Sequence, residues 1–589
     1  MNDAGDEGVD EHEDTGSEQR RDPTDPEETV VAADRLLQSL RAYGVEYVFA
    51  NLGTDHTPLL EAAARLRAAD AGDSYPTVLS CPHEFVAMSA AHGYAAATGD
   101  PQAVLVHVDV GTQNLGAAMH NAHRAAVPVF VISGLAPITE TGYPGSRDHA
   151  VHYAQDVFDQ PGIVREYCRW TSEYQSPADP ATYVRRGLER ANAAHPGPVY
   201  LTASREALEL PVTPSASLSR GPRRTTPSGA DRATVETLAE RVAAAERPVV
   251  VTTDFGTEPS EERVETLVAF AEAAGAGVVE HGPTALNFPR NHPLHVGYEP
   301  TELFDDADLL LLVDVDVPWV PANGRPNEGT EVVQIDPDPT KATYPHWSYD
   351  VDLTVGADAR RTLDAVTALL DPTDGEEGRT HWERVHERAA AQRADELAAA
   401  READGISPVE LSAAVGDAID SETVLVEGAV TSRTSVLDHV ERTKPGSYVA
   451  RGGAGLGWAG GASVGIKLAR PDSRVVSLVG DGSYLFSNPV AHAWLAAEYD
   501  APTLTVVYNN ARWNAVRSAT AAQHPDGDAV ADGVPESEFG TPLDLSVPAR
   551  AAGLHTQRVE EEAELADALA EAVDAVDGGK PAVVDVRIR

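Results

Sequence analysis

The chain of 589 residues is poor in cysteine, with Cys81 and Cys168 alone. That excludes a disulfide framework, and neither a C-x-x-C pair nor a zinc-type spacing is present. Positive charge is equally scarce. Lysine and arginine number 45 against 93 aspartates and glutamates, for a formal net charge of −48. There is no basic patch for nucleic acid, and a surface this negative repels both nucleic acid and anionic membranes. No apolar run is long enough to span a bilayer. The strongest, "DLLLLVDVDV", is interrupted by acids. A basic-apolar leader is also missing from the first residues. These absences point to a soluble, cytoplasmic protein with no nucleic-acid or membrane partner. The acid excess runs far beyond the amino terminus and suits a salt-loaded cell, where screening shortens the reach of self-repulsion.

What is present is apolar content spread over more chain than one core absorbs. Residues 1–29 hold twelve acids, two arginines and almost nothing apolar, the composition of a disordered acidic arm. From residue 30 onward strand-like and helix-like runs alternate, which predicts α/β units with parallel sheets. Strands are expected at "VEYVFA", "AVLVHVDV", "VPVFVISG" and "GPVYLTA" in a first unit, 30–207. Alanine-rich helices are expected at "PHEFVAMSAAHGYAAATG" and "GTQNLGAAMHNAHRAA". A Pro/Ser/Gly-rich linker, 208–230, leads to a second unit, 231–375, with strands at "RPVVVTTDFG", "AGVVE", "DLLLLVDVD" and "EVVQIDPD". A charged helical connector, 376–404, precedes a third unit, 405–589, with strands at "TVLVEG", "SRVVSLVGDG", "APTLTVVYNN" and "PAVVDVRI". The expected fold is therefore α/β, with three doubly wound parallel-sheet domains.

The stretch "GDGSYLFSNP" begins at Gly480, straight after the strand-like "RVVSLV". Gly480 and Gly482 allow a sharp turn at a strand's carboxyl end and a close approach of ligand oxygens to the backbone. Asp481 between them is a hard oxygen ligand suited to magnesium or calcium. Asn510, at the end of the next strand, offers a neutral oxygen, and the Arg512 carbonyl offers a third. A diphosphate would complete the octahedron at a sheet edge that favours anions. The simpler reading is a tight turn with a capping aspartate. Neither G-x-G-x-x-G nor a Walker A loop occurs.

Gly-Asp-Gly closed by Asn509 and Asn510 resembles the thiamine diphosphate motif. From residue 30 almost the whole chain resembles the superfamily of acetolactate synthase, pyruvate decarboxylase and benzoylformate decarboxylase. The resemblance implies a pyrimidine-binding domain, a middle domain and a diphosphate-binding domain. It implies Mg2+ held by Asp481, Asn510 and the Arg512 carbonyl, with Gly480, Gly482, Ser483 and Asn509 shaping the cofactor site. Leu456, in "GAGLGWAGGASVGIKLA", falls where a bulky apolar residue props the cofactor in its bent form. Thr431 and Ser432, in "EGAVTSRT", fall on the cofactor's thiazolium and diphosphate side.

Glu84 lies in the first turn of a predicted helix among small apolar residues, as either a cap or an enclosed acid. The resemblance implies the second role, a hydrogen bond to the aminopyrimidine that promotes its imino tautomer. His107 is placed near the end of a predicted central strand, where a lone histidine is commonly structural. However, "H-x-x-x-G-T-x-N" resembles benzoylformate decarboxylase around an active-site histidine, and His107 suits a proton relay at neutral pH. Thr54 matches a substrate-binding serine of that enzyme. Gln155 resembles a glutamine beside the substrate in acetolactate synthases, and Trp513 stands where a small aromatic residue is common. Val110-Gly111-Thr112 replaces the Gly-Pro-Gly usual in acetolactate synthases, and the His-His pair of pyruvate decarboxylases is missing.

Two departures stand against the benzoylformate decarboxylase pattern. Trp319, in "DVDVPWVPANG", occupies the segment that carries a second histidine there, and Asn514 stands where a glycine is common. His120 and His123 are expected to serve packing or a dimer interface rather than a metal. The polar stretch 517–540 reads as a lid or a solvent loop. The implied function is a thiamine diphosphate- and Mg2+-dependent, non-oxidative decarboxylase or carboligase acting on a small 2-oxo acid. A homo-oligomer with its active site between subunits is implied too. An acetolactate synthase large subunit and a non-catalytic scaffold are the alternatives, with a flavin and a regulatory subunit left open.

Overall fold

The computed structural model describes residues 29–589 except 70–71, 259, 372–374 and 541–542. The expected acidic arm, apart from residue 29, lies outside the described residues.

Three parallel sheets organise the chain. The first has six strands in the spatial order Thr77–Ser80, Tyr47–Ala50, Gln102–Val106, Val129–Leu135, Val199–Ser204, Trp170–Tyr174. The third domain repeats that order with Tyr448–Ala450, Val424–Gly428, Val475–Gly480, Leu504–Asn509, Ala582–Arg587 and His555–Val559. In both, the second strand of the sequence sits at one edge, followed by the first, third, fourth, sixth and fifth. The chain therefore reverses direction across the sheet between the first and third strands. That switch opens a crevice at the carboxyl edge, where ligands of such sheets bind. The central sheet has five strands, ordered Gly277–Glu280, Pro248–Thr252, Leu309–Val313, Glu331–Ile335, Leu353–Val355.

The interior strands are Val- and Leu-rich because helices cover both faces, as a parallel sheet requires. All five residues of Leu309–Val313 are buried. Thr77–Ser80 is the strand end expected at "TVLSC", before the Glu84 helix, whereas Trp170–Tyr174, Leu353–Val355, Tyr448–Ala450 and His555–Val559 are strands of the three sheets that the sequence reading did not anticipate. All four lie at sheet edges.

Two expectations need correction. The strand expected at "AVLVHVDV" stops at Val106, and a short helix, Val108–Gln113, begins two residues later. The reason is a sharp turn at His107 and Val108, where Val108 adopts φ 24°. The single helix expected over "GTQNLGAAMHNAHRAA" is interrupted at Asn114 and Leu115 before Gly116–Arg124. Asn114 turns its side-chain amide to Glu84. Within the stretch read as a linker, Pro211–Val212 pairs antiparallel with Val30–Val31. Helix Glu376–Glu402 fills the expected connector and buries Trp382 in the central core. Trp319 is also core, packed edge-on against Phe304 and Tyr349.

The outer domains meet along two helices that follow equivalent strands, Glu84–Thr98 and Trp458–Ala469. Both are rich in alanine and glycine because their backbones nearly touch. A Cβ on Gly461 would stand 2.7 Å from the Val86 carbonyl oxygen. Each helix follows a strand of its own sheet, so this packing fixes the orientation of one outer domain relative to the other. Among the described residues no helix is long and apolar enough to cross a membrane, and both cysteines are free thiols.

Candidate functional site

The third domain gathers its predicted residues at one edge. Strand Val475–Gly480 runs directly into helix Asp481–Phe486, and strand Leu504–Asn509 ends beside it. Asp481 is buried. Its Oδ1 accepts from the Gly482 amide at 2.6 Å and its Oδ2 from the Ala511 amide at 2.6 Å. Ala511 adopts the left-handed conformation, φ 56°, which folds the Asn509–Arg512 turn over the carboxylate. Asn509 donates to Asp585 at 2.8 Å and accepts from the Ala511 amide at 3.1 Å, bracing the turn from behind. Asn510 Oδ1 accepts from the Arg512 amide at 3.1 Å. The Arg512 carbonyl accepts from the Asn514 amide at 3.0 Å, leaving one lone pair on each oxygen for another ligand.

Burial pushes the Asp481 carboxyl above its ordinary range, against the pull of the surrounding backbone N–H groups. Among the described residues no cationic side chain forms an ion pair with it. A buried carboxylate without a counter-charge, beside two neutral oxygens, has the donor chemistry of a hard divalent cation. A Cβ on Gly480 would meet nothing within 4 Å, so open space lies in front of the motif. Gly482 has a different task, because a Cβ there would collide with the Trp513 ring. That ring packs against Phe486 and Phe539.

Thr431 is exposed and Ser432 buried, both just past the carboxyl end of Val424–Gly428. Leu456 is half-buried before Gly457, whose φ of 88° turns the chain into the next helix. Ser483 lines a small cavity with Gly428, Gly457 and Val479, at the switch between the first and third strands.

The first domain forms a second cluster. Glu84 opens its helix, but the capping alternative is answered by His83, whose Nδ1 accepts from the Phe85 amide at 3.1 Å. Glu84 is buried, with Asn114 Nδ2 donating to Oε2 at 3.0 Å and Oε1 facing Gly111. His107 bonds through Nδ1 to Asp55, and the Gln155 side chain lies beside the same ring. The Asp55 bond raises the His107 pKa above the ordinary histidine value, against desolvation. Thr54, the residue before Asp55, is exposed on the same rim.

The structure thus brings Thr54, Glu84, His107 and Gln155 to one edge. It brings Thr431, Ser432, Leu456, Gly480 to Ser483 and Asn509 to Trp513 to another. Among the described residues no hydrogen bond or ion pair joins the two clusters. Sequence reasoning missed Asp55 and His56, although "GTDH" places both beside Thr54. His120 and His123 serve packing. His120 Nε2 accepts from the Ala454 amide at 3.1 Å across the domain boundary, and His123 bonds the Tyr167 carbonyl at 3.1 Å. The stretch 517–540 folds back on the motif loop, with Trp513 N donating to the Ser537 carbonyl at 2.7 Å.

A larger crevice, about 660 Å³, opens at the carboxyl edge of the central sheet; it is lined by His123 but by none of the residues of the two clusters. Its acids are mostly paired. Arg263 bonds Asp314, and Lys341 reaches Asp316 at 3.0 Å and Asp336 at 2.7 Å. Asp254 has Thr284 as a donor but, among the described residues, no cationic partner within ion-pair distance. Burial, then the charge of Asp316, pushes its pKa up to about 8. The folded state therefore holds a proton that the unfolded chain releases near its ordinary carboxylate pKa. The contribution of Asp254 to stability falls as pH rises through that interval. Asp254→Asn is expected to flatten this slope and to be the more stable protein at pH 8, by about 1 kcal/mol or more. Urea unfolding at pH 5 and pH 8 checks this, and equal slopes would refute it.

Comparison with known proteins places these edges in context. Residues 30–163 match the thiamine pyrophosphate enzyme N-terminal TPP binding domain, 235–366 the central domain, and 429–586 the C-terminal TPP binding domain. Benzoylformate decarboxylase of Pseudomonas aeruginosa is 25% identical over 491 residues, covering 81% of this chain and 85% of that protein. A probable 2-ketoarginine decarboxylase of the same organism is 28% identical over 509 residues, covering 83% of each. The solved structure of a thiamine diphosphate-dependent 4-hydroxybenzoylformate decarboxylase from Rhodococcus jostii RHA1 superposes with a TM-score of 0.79 at 21% identity. It covers 95% of this chain and 99% of that one. With all three family domains matched in order, the chain belongs to the thiamine diphosphate-dependent enzyme superfamily.

Proposed function

We propose that the protein is a thiamine diphosphate- and Mg2+-dependent, non-oxidative decarboxylase or carboligase of a 2-oxo acid, close in type to benzoylformate decarboxylase. The observation that carries this reading is Asp481, a buried carboxylate with backbone donors and, among the described residues, no cationic partner, set beside Asn510 at a sheet's carboxyl edge. Asp481, Asn510 and the Arg512 carbonyl hold Mg2+, and the open face at Gly480 admits the diphosphate. When bound, the cofactor supplies a nucleophilic thiazolium carbon and an electron sink for the bond beside the substrate carbonyl. Glu84 would hold and release a proton at the bound cofactor's aminopyrimidine. Leu456 would support the bound cofactor, and Thr431 and Ser432 would line its side of the site. Thr54 and Gln155 orient the substrate, Trp513 closes its side of the pocket, and His107 moves a proton at the substrate.

The two clusters sit on separate domains, and apolar side chains remain exposed beside both. Leu52, Val110, Val157 and Phe158 flank the first cluster, and Val430, Phe486 and Val516 flank the second. Exposed apolar side chains beside both clusters support cover by a partner subunit. The reading is a homo-oligomer in which Glu84 of one subunit serves the Asp481 site of the other. A sedimentation experiment in which the monomer alone turns over substrate would remove the shared site.

Calorimetric titration with thiamine diphosphate and Mg2+ tests the cofactor assignment, followed by a panel of benzoylformate, pyruvate and 2-ketoarginine with carbon dioxide and aldehyde as readouts. Saturable, Mg2+-dependent binding and turnover of at least one panel member is the expected outcome. A folded oligomer that binds no cofactor would overturn the enzyme reading.

A further inference from the structure

Asp55 is the hub of a buried network that the sequence does not announce. Its carboxylate is 3% exposed, and every contact it makes is directional. Oδ1 accepts from His107 Nδ1, and Oδ2 accepts from the Val108 amide at 3.3 Å. His56 Nε2 lies 3.3 Å from Oδ2 as well. The tautomer of His56 follows from its other nitrogen. Nδ1 accepts from the Gly53 amide at 3.0 Å, so the proton is on Nε2, which also meets the Val106 carbonyl at 3.0 Å. His56 is therefore a neutral strut, and burial holds its pKa below the ordinary value.

The surrounding backbone is shaped to admit this pair. A Cβ on Gly134 would overlap the Asp55 carboxylate, and a Cβ on Gly53 would overlap the His107 ring. Val108, a β-branched residue, is held at φ 24°, a conformation that such a side chain resists. The Val108 amide bonded to Asp55 is part of what keeps it there. Two glycines and one strained residue thus converge on a single carboxylate–imidazole contact. The charged groups acting on His107 are Asp55, on the turn after strand Tyr47–Ala50, and Asp109, on its own helix, while His56 is neutral.

We infer that Asp55 is a positioning residue that holds His107 by Nδ1–H and presents a protonated Nε2 to the substrate side of the cleft. This rests on the function proposed above and deepens it. In the transfer, the Nε2–H bond breaks and a bond forms between that proton and the substrate-derived carbon. The imidazole is left neutral with a lone pair on Nε2. Solvent water returns the proton, and no electron is gained or lost. Asp55 stays ionised throughout, because its bonds to His107 and to the Val108 amide favour the carboxylate.

Two measurements test this. The first is NMR titration of the His107 imidazole in the cofactor-free protein, in the wild type and in Asp55→Asn. The wild-type ring is expected to titrate above the ordinary histidine value, with its neutral form protonated on Nδ1. In the variant the pKa is expected to drop by one unit or more. The second is the pH profile of kcat in the loaded enzyme, whose alkaline limb should move down with the imidazole. At pH 8 this is about a tenfold loss in kcat per unit, with KM nearly unchanged. Asp55→Asn keeping both the wild-type titration and the wild-type profile would overturn the inference. If that variant does not fold, the wild type alone decides, since a His107 titrating below the ordinary value or carrying its neutral proton on Nε2 sinks the idea. Absence of cofactor binding would instead overturn the proposed function and leave the imidazole titration to be judged by itself.

Discussion

Glu84→Gln is expected to bind thiamine diphosphate with little loss yet turn over about 10²- to 10⁴-fold more slowly than the wild type. The substitution conserves volume in a buried position, and the amide oxygen of glutamine still accepts from Asn114 Nδ2. The helix start also survives, because His83 supplies the cap. What is lost is the ability to hold and release a proton at an aminopyrimidine ring nitrogen, which a neutral amide lacks. Single-turnover kinetics beside a binding isotherm separates the two effects. Full turnover in the variant would remove Glu84 from the chemistry. A collapse of binding with unchanged turnover at saturation would make it a binding group instead.

Asp481→Ala should show the largest effect on binding. The site joins one charged oxygen to two neutral ones, so removing the charge takes away most of the cation's attraction. Mg2+-dependent cofactor affinity is expected to fall roughly 100-fold or more, exceeding what is typical of outer-sphere changes around metals. The stability of the apo-protein is expected to change less than binding, because two effects oppose each other: the Gly482 and Ala511 amides lose their acceptor, while a buried carboxylate without a counter-charge is removed. Thermal unfolding with and without ligand separates these terms. At ligand concentrations near 100 times Kd the wild type gains about 2.7 kcal/mol from binding, and the variant gains almost none. A variant that keeps the full ligand-induced shift would remove the aspartate from the metal site.

The legibility of the fold follows burial. Leu309–Val313 and Val475–Gly480 are interior strands, and burial on both faces gives them continuous Val and Leu runs. Trp170–Tyr174 and His555–Val559 are edges with one neighbour each, half-exposed and carrying Ser, Glu, Gln and Arg. Nothing in such a segment distinguishes it from a loop until the neighbouring strand offers its hydrogen bonds.

The motif residues Gly480 to Gly482 and Asn509 to Arg512 were legible because two adjacent strands must place them side by side. Asp55 was not. Its partners His107 and Val108, and the glycines that make room for it at 53 and 134, come from three different strand ends.

The sequence by itself determined the three-domain α/β order, the Gly-Asp-Gly and Asn-Asn pair, and the glutamate at a helix start. Local periodicity and turn chemistry are written in contiguous residues. Tertiary structure alone decided that His83 and not Glu84 caps the helix, that Trp319 is core, and that Asp55 holds His107. Those outcomes depend on which strand ends lie side by side. That neighbourhood is set by strand order in the folded sheet, where the energy of a buried polar contact is decided by partners distant in the chain.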